Sequence, residues 1–182
     1  MGQVPSEFVS LIETADDARN IDVKNSEKLA YATQTTLSLD DTREILTVLK
    51  KRFPSIKGPN SEDICYATTN RQQAVKSMAN LCDTILVIGA ENSSNSLRLV
   101  EVALSHGVKQ AQLIPNEYRL DQFLEGFNPS ITPNLGLTAG ASAPETLVQV
   151  LISKLKKDFD VNLIDHAVTK ENITFNLPKI LR

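Results

Sequence analysis

The run Ile85-Leu86-Val87-Ile88, entered from Thr84 and left through Gly89, is apolar at every interior position. A strand with one wet face alternates between apolar and polar residues, whereas an unbroken β-branched and aliphatic run belongs to a strand covered on both faces. This predicts a central strand of a parallel sheet with helices above and below it, an α/β architecture. In such sheets the connections that leave the carboxyl ends of the strands share one rim, where free helix N–H groups gather and ligands bind.

The sequence around this run repeats the βα unit from Ile64 to Lys157. We expect a strand ending at Ala67 and a helix to about Cys82. A strand over residues 84–90 follows, then a helix to about His106, stopped by Gly107. A further strand leads to a helix capped by Asn116 and closed by Gly126, with Leu120, Phe123 and Leu124 turned inward. A fourth strand, residues 135–138, precedes a last helix with Leu147, Leu151 and Leu155 as its buried stripe. Ser142-Ala143-Pro144-Glu145 has the form of a capping box, with the serine as N-cap and the glutamate three residues on; loss of such a cap costs about 1 kcal/mol.

The N-terminal part is shorter of structure. Residues 8–12 and 29–33 are expected as strands joined by a polar stretch, residues 14–20, of about two helical turns. A helix capped by Ser38 or Asp40 follows, with Ile45, Leu49 and Phe53 recurring every four residues and Pro54 as its stop. The polar segment 54–63, with Gly58-Pro59-Asn60, reads as a boundary. The expected division is a partial α/β domain over 1–60, a complete three-layer αβα domain over 61–157, and a β tail over 158–182 with strands at 161–164 and 173–177.

Composition narrows the partners. A net charge of -3 and 5% aromatic residues leave no basic, ring-studded face, so nucleic acid is not expected. No apolar run approaches the roughly 18 residues of a membrane span, and we expect a cytoplasmic protein. Its two cysteines, Cys65 and Cys82, do not form a disulfide framework.

Four junctions carry hydroxyls, amides and small residues: Ala67-Thr68-Thr69-Asn70, Glu91-Asn92-Ser93-Ser94-Asn95-Ser96, Pro115-Asn116 and Thr138-Ala139-Gly140-Ala141-Ser142. The second follows the central strand and opens a helix; ordinary capping needs one of its side chains, so the surplus of donors points to an anion. Gly140 and its alanine neighbours let a ligand approach the backbone near Ser142. Neither glycine-rich nucleotide fingerprint is present, which favours a small phosphate ester. Cys65 stands at the mouth of the first junction. It is either a thiolate ligand of a cluster completed elsewhere, or, with Arg71 in a C-x5-R spacing, the nucleophile of a Cys-dependent phosphatase. Cys82 reads as core filler, and neither His106 nor His166 has a pattern that marks a ligand.

The segments Glu62-Asp63-Ile64-Cys65-Tyr66-Ala67-Thr68-Thr69-Asn70-Arg71-Gln72, Glu91 to Ser96, Thr138 to Pro144 and Thr33-Gln34-Thr35-Thr36-Leu37-Ser38 closely resemble the 4-hydroxy-3-methylbut-2-enyl diphosphate reductase family (LytB/IspH). The resemblance runs essentially from Met1 to Arg182. It implies an iron-sulfur oxidoreductase that makes isopentenyl and dimethylallyl diphosphates from an allylic diphosphate, the last step of the methylerythritol phosphate route. It further implies a 4Fe-4S cluster and a ferredoxin or flavodoxin electron donor. By resemblance Cys65 is one of three cluster thiolates, Ser93, Ser94, Asn95 and Ser142 hold the diphosphate, and Thr35 lies near the substrate hydroxyl. The family's other two cysteines, its histidines and its proton-donating glutamate belong to an N-terminal portion that has no counterpart here. The expectation is therefore a chain matching the C-terminal two thirds of the enzyme, inactive alone, whose tail packs on the absent first domain. The alternatives are a cofactor-free phosphate-binding module or half of a split enzyme.

Overall fold

A computed structural model describes residues 5–59 and 63–169. Its centre is a parallel sheet of β1 (Thr84–Ile88), β2 (Gln110–Ile114) and β3 (Leu135–Ala139), in the order β2-β1-β3. The apolar run is the middle strand, and all five of its residues are buried. Its pleat divides the core. Ile85 and Val87 face α3 (Tyr66–Ala79) and α4 (Ser94–Ser105), where they meet Val75, Met78, Leu99 and Val102. Leu86 and Ile88 face α5 (Glu117–Glu125) and α6 (Glu145–Asp158), where they meet Leu120, Leu151 and Leu155. Full burial of each such side chain stabilises by about 2 kcal/mol, so the double coverage expected of the run accounts for a three-layer αβα unit.

The N-terminal part holds α1 (Ala15–Asn20) and α2 (Leu39–Arg52) around Ala18, Leu49 and Phe53. Ser38 caps α2 by accepting from the Asp41 N–H. Thr14 and Asp17 cap α1 reciprocally, a capping box hidden in the sequence because aspartate takes the place of the usual glutamate or glutamine. Arg52 donates to the carbonyls of Ala18 and Ile21, so the last turn of α2 satisfies the open end of α1. Gln72, fully buried on α3, joins the two parts: its Oε1 accepts from Leu39 N–H at 3.0 Å and its Nε2 donates to Leu37 O at 2.8 Å.

Several expected elements are different. Among the described residues the sheet has three strands, not four, because Ile64 to Ala67 forms no strand: Cys65 is the N-cap of α3 and Thr69 N–H already bonds its carbonyl. Residues 8–12 hold the end of a 3-10 turn, Ser6–Phe8, followed by unpaired chain, and residues 29–33 contribute only an isolated bridge of Ala30 with Lys57. Their strand-forming side chains find no ladder among the described residues. Residues 161–164 run without strand pairing, though Val161 packs on the second core. The strand expected at 173–177 lies outside the described residues. Ser142 is not a helix cap: α6 begins after Pro144, with no side-chain cap bond.

Candidate functional site at the carboxyl rim

Register fixes the rim. Ile88 lies level with Ile114 on one side and Ala139 on the other, so the three strands end together. The chain leaving β1 passes Gly89, which donates to Ile114 O at 3.2 Å, and reaches Ser93, the N-cap of α4. The chain leaving β3 passes Gly140, which donates to Ile88 O at 2.7 Å, and then turns through an Ala143 N–H bond to Gly140 O. These bonds bring the Ser93–Ser96 turn and the Gly140–Ser142 turn to the same edge. Asn116, after β2, is occupied in capping α5 through Arg119 N–H.

Within the Ser93 turn the four polar side chains have different surroundings. Ser94 is exposed and Ser93 half-buried, while Asn95 and Ser96 are buried. Asn95 is only 7% exposed, yet among the described residues neither its Nδ2 nor its Oδ1 has a hydrogen-bond partner. A buried amide left so costs about 1–3 kcal/mol for each unsatisfied group. It lies in the first turn of a helix whose free N–H groups face the rim, where an anion with several acceptor oxygens supplies what the amide N–H lacks. Ser142 is exposed on the facing turn.

Cys65 is exposed at the N-terminus of α3, and its N–H donates to Thr35 O at 3.1 Å, which sets the exposed Thr35 beside it. Arg71, six residues on, donates from Nη1 to Ala139 O at 2.9 Å. Asp83, beyond the far end of α3, donates its N–H to Asn134 O just before β3. The helix therefore runs from rim to base, with Cys65 about 9 Å of helical rise farther out than Arg71. Cys65 lies at the rim-side end of α3, as a helix cap rather than at the end of a strand.

The same helix excludes the phosphatase geometry. Residues 66–71 form the opening turns of α3, so C-x5-R makes no loop around an anion, and the Arg71 guanidinium serves the β3 turn. Thr68 of the first junction is buried on α3 rather than open at the rim. Cys82 lies at the opposite end of the sheet against Gly136, and burial, aided by the Asp83 charge, pushes its thiol above the usual range. Among the described residues no three His, Cys, Asp or Glu side chains converge to hold a metal.

Two contributors are not visible in the sequence pattern. The C-x5-R spacing pairs Arg71 with the wrong loop, because its role depends on the passage of α3 behind β3. Ser96 stands among polar neighbours that look alike in sequence, although its oxygen fills the space beside Gly89 and Gly140. Two glycines closing adjacent strands were the available sign that something fills the space between them.

The LytB protein family model matches residues 1–156. Curated relatives named 4-hydroxy-3-methylbut-2-enyl diphosphate reductase include that of Roseobacter denitrificans, 49% identical, covering 100% of this chain and 56% of that protein. That of Hyphomonas neptunium is 51% identical with the same coverage of both chains, 100% and 56%. The structure of the E-1-hydroxy-2-methyl-but-2-enyl-4-diphosphate reductase from Plasmodium falciparum superposes with a TM-score of 0.80 at 33% identity, over 93% of this chain and 52% of that one. The chain thus spans about half the length of the relatives it matches. With the motifs, the three-layer fold and a family match over most of its residues in agreement, the chain belongs to the LytB protein family.

Proposed function

We propose that this chain supplies the diphosphate cradle and one cluster thiolate of a 4-hydroxy-3-methylbut-2-enyl diphosphate reductase. In this reading Ser93, Ser94, Asn95 and Ser142 bind the diphosphate, Thr35 contacts the substrate near its hydroxyl, and Cys65 is a 4Fe-4S ligand. The division into 1–60, 61–157 and 158–182 is part of the proposal. So are an allylic diphosphate substrate, a ferredoxin or flavodoxin donor and a cytoplasmic location; among the described residues no helix is long and apolar enough to cross a membrane. The observation that carries the reading is the buried, unpartnered Asn95 amide beside the Ser93 cap, in a member of this family.

The described residues do not make a cluster site by themselves. One exposed thiol stands at the rim, and the second cysteine is at the far end of the sheet. A 4Fe-4S cluster rests on several thiolates, and one held by a single ligand is open to exchange and oxidation. This supports a second reading of the chain in isolation, as an anion-binding module that holds no cluster.

The test is titration with inorganic pyrophosphate by calorimetry. The wild-type chain is expected to bind, and Asn95→Ala to weaken binding roughly tenfold, the loss of a hydrogen bond to a charged acceptor. A wild-type chain that takes up no pyrophosphate, or an Asn95→Ala variant with unchanged affinity, overturns the assignment.

A further inference from the structure

The Ser96 side chain is 1% exposed, and its oxygen touches both sides of the rim. A Cβ placed on Gly89 would lie 2.1 Å from Ser96 Oγ, and one placed on Gly140 would lie 2.2 Å from the same atom. One hydroxyl oxygen therefore occupies the gap between the backbone leaving β1 and the backbone leaving β3. Alanine would fill less of that gap without bringing a polar atom into it. A buried hydroxyl costs free energy unless its proton finds an acceptor, and for the sealed Ser96 hydroxyl that acceptor is Ser93 Oγ, 3.0 Å away on a half-buried residue whose own proton can turn outward. The Ser96 N–H donates to the same Ser93 oxygen at 3.3 Å. A serine hydroxyl has two acceptor lone pairs and one proton. With both lone pairs of Ser93 engaged by Ser96, what Ser93 retains is its proton. Such a group is complementary to an acceptor, as every oxygen of an ionised phosphate is, and it cannot serve a ligand that donates.

We propose that Ser96 is a positioning residue of the anion cradle: its buried hydroxyl, wedged between Gly89 and Gly140, makes Ser93 a dedicated hydrogen-bond donor toward bound phosphate. The inference rests on the diphosphate reading above. It adds to that reading a residue that does not touch the ligand and acts through one that does. Helix capping alone does not require it, because the Ser96 N–H bond already satisfies the helix end.

The experiment is a double-mutant cycle on the full chain with inorganic pyrophosphate as the probe. Ser96→Ala is expected to weaken binding roughly fivefold, the effect of one neutral hydrogen bond lost. In a Ser93→Ala background the same substitution is expected to change affinity by less than about twofold, since the oxygen it acts through is gone. A merely structural role would lower both backgrounds alike. Unchanged affinity in Ser96→Ala, or equal losses in both backgrounds, overturns the positioning role while leaving the cradle intact. Absence of binding by the wild-type chain overturns the cradle and the inference together, so the two failures are distinguishable. If Ser96→Ala does not fold, proton NMR of the wild-type chain decides. A slowly exchanging Ser96 hydroxyl with a cross-peak to Ser93 supports the proposal, and a rapidly exchanging one refutes it.

Discussion

Replacing Gly140 by alanine puts a methyl group into space that Ser96 Oγ already fills, at 2.2 Å. Overpacking of this kind costs about 2 kcal/mol, and the serine cannot yield easily because Gly89 closes its other side. With the hydroxyl removed, the next atoms the new Cβ meets are Ser96 Cβ at 3.5 Å and Ile88 O at 3.7 Å, an ordinary fit. Gly140→Ala is therefore expected to destabilise the wild-type chain by about 2 kcal/mol and the Ser96→Ala chain by well under about 1 kcal/mol, measured by urea unfolding. Equal losses in the two backgrounds would show that the clash is relieved elsewhere. At this scale the sequence was only partly legible. That one residue of the run caps α4 followed from position, but a run of adjacent polar residues does not reveal which of them is the cap, here Ser93, nor which are buried. That depends on the phase at which α4 meets Gly89 of its own connection and Gly140 of the connection after β3.

Elements report on a second site of charge. The N-terminus of α2 brings Asp40 to Lys76 of α3, with Oδ2 2.6 Å from Nζ, and to His106 at the end of α4, 3.6 Å from Nε2. Arg43 approaches the same carboxylate on α2 itself, and Arg98 of α4 faces the neighbouring Asp41. The Lys76 hydrogen bond holds the Asp40 carboxyl below its usual range; partial burial opposes this, and the Lys76, His106 and Arg43 charges reinforce it. A carboxyl whose pKa is depressed on folding contributes stability above its unfolded pKa of about 3.9 and loses it as the pH falls through the folded value. Thermal unfolding followed from about pH 6 downward is expected to show this loss below about pH 4, and Asp40→Asn to flatten that part of the profile. An unaltered acid limb in the variant would assign the sensitivity to other carboxylates. The pair was not legible in the sequence, since 36 positions separate Asp40 from Lys76. The helices that carry it were better marked. Ser38, the four-residue repeat and Pro54 bounded α2 well, whereas Ile64 to Ala67 misled, because a short apolar run does not distinguish a strand from the opening of a helix.

For the molecule as a whole, the proposed division of labour between anion and cluster has a direct consequence. Every candidate anion ligand, Ser93, Ser94, Asn95 and Ser142, hangs on a turn whose backbone is fixed by β1, β3 and α4 of this same chain. The rim thiol is a single residue, and exposed apolar side chains such as Phe8, Leu11 and Ile164 leave uncovered surface around the same body. The parallel sheet, its double coverage and the rim were legible because they follow from local patterns, an apolar run and caps at fixed offsets. How many thiolates meet at the rim is a property of three-dimensional convergence, which no local pattern states. Anion binding and cluster binding should then come apart. Anaerobic reconstitution with iron and sulfide is expected to leave this chain far below one cluster per molecule, while its calorimetric response to pyrophosphate persists. Adding the separately produced N-terminal portion of a relative, to which the family resemblance assigns the other cluster cysteines, is expected to raise iron retention, and Cys65→Ser to abolish that gain without altering pyrophosphate affinity. Near-stoichiometric iron and sulfide on the chain alone would refute the single-thiolate account. A gain that survives Cys65→Ser would instead remove Cys65 from the ligand set.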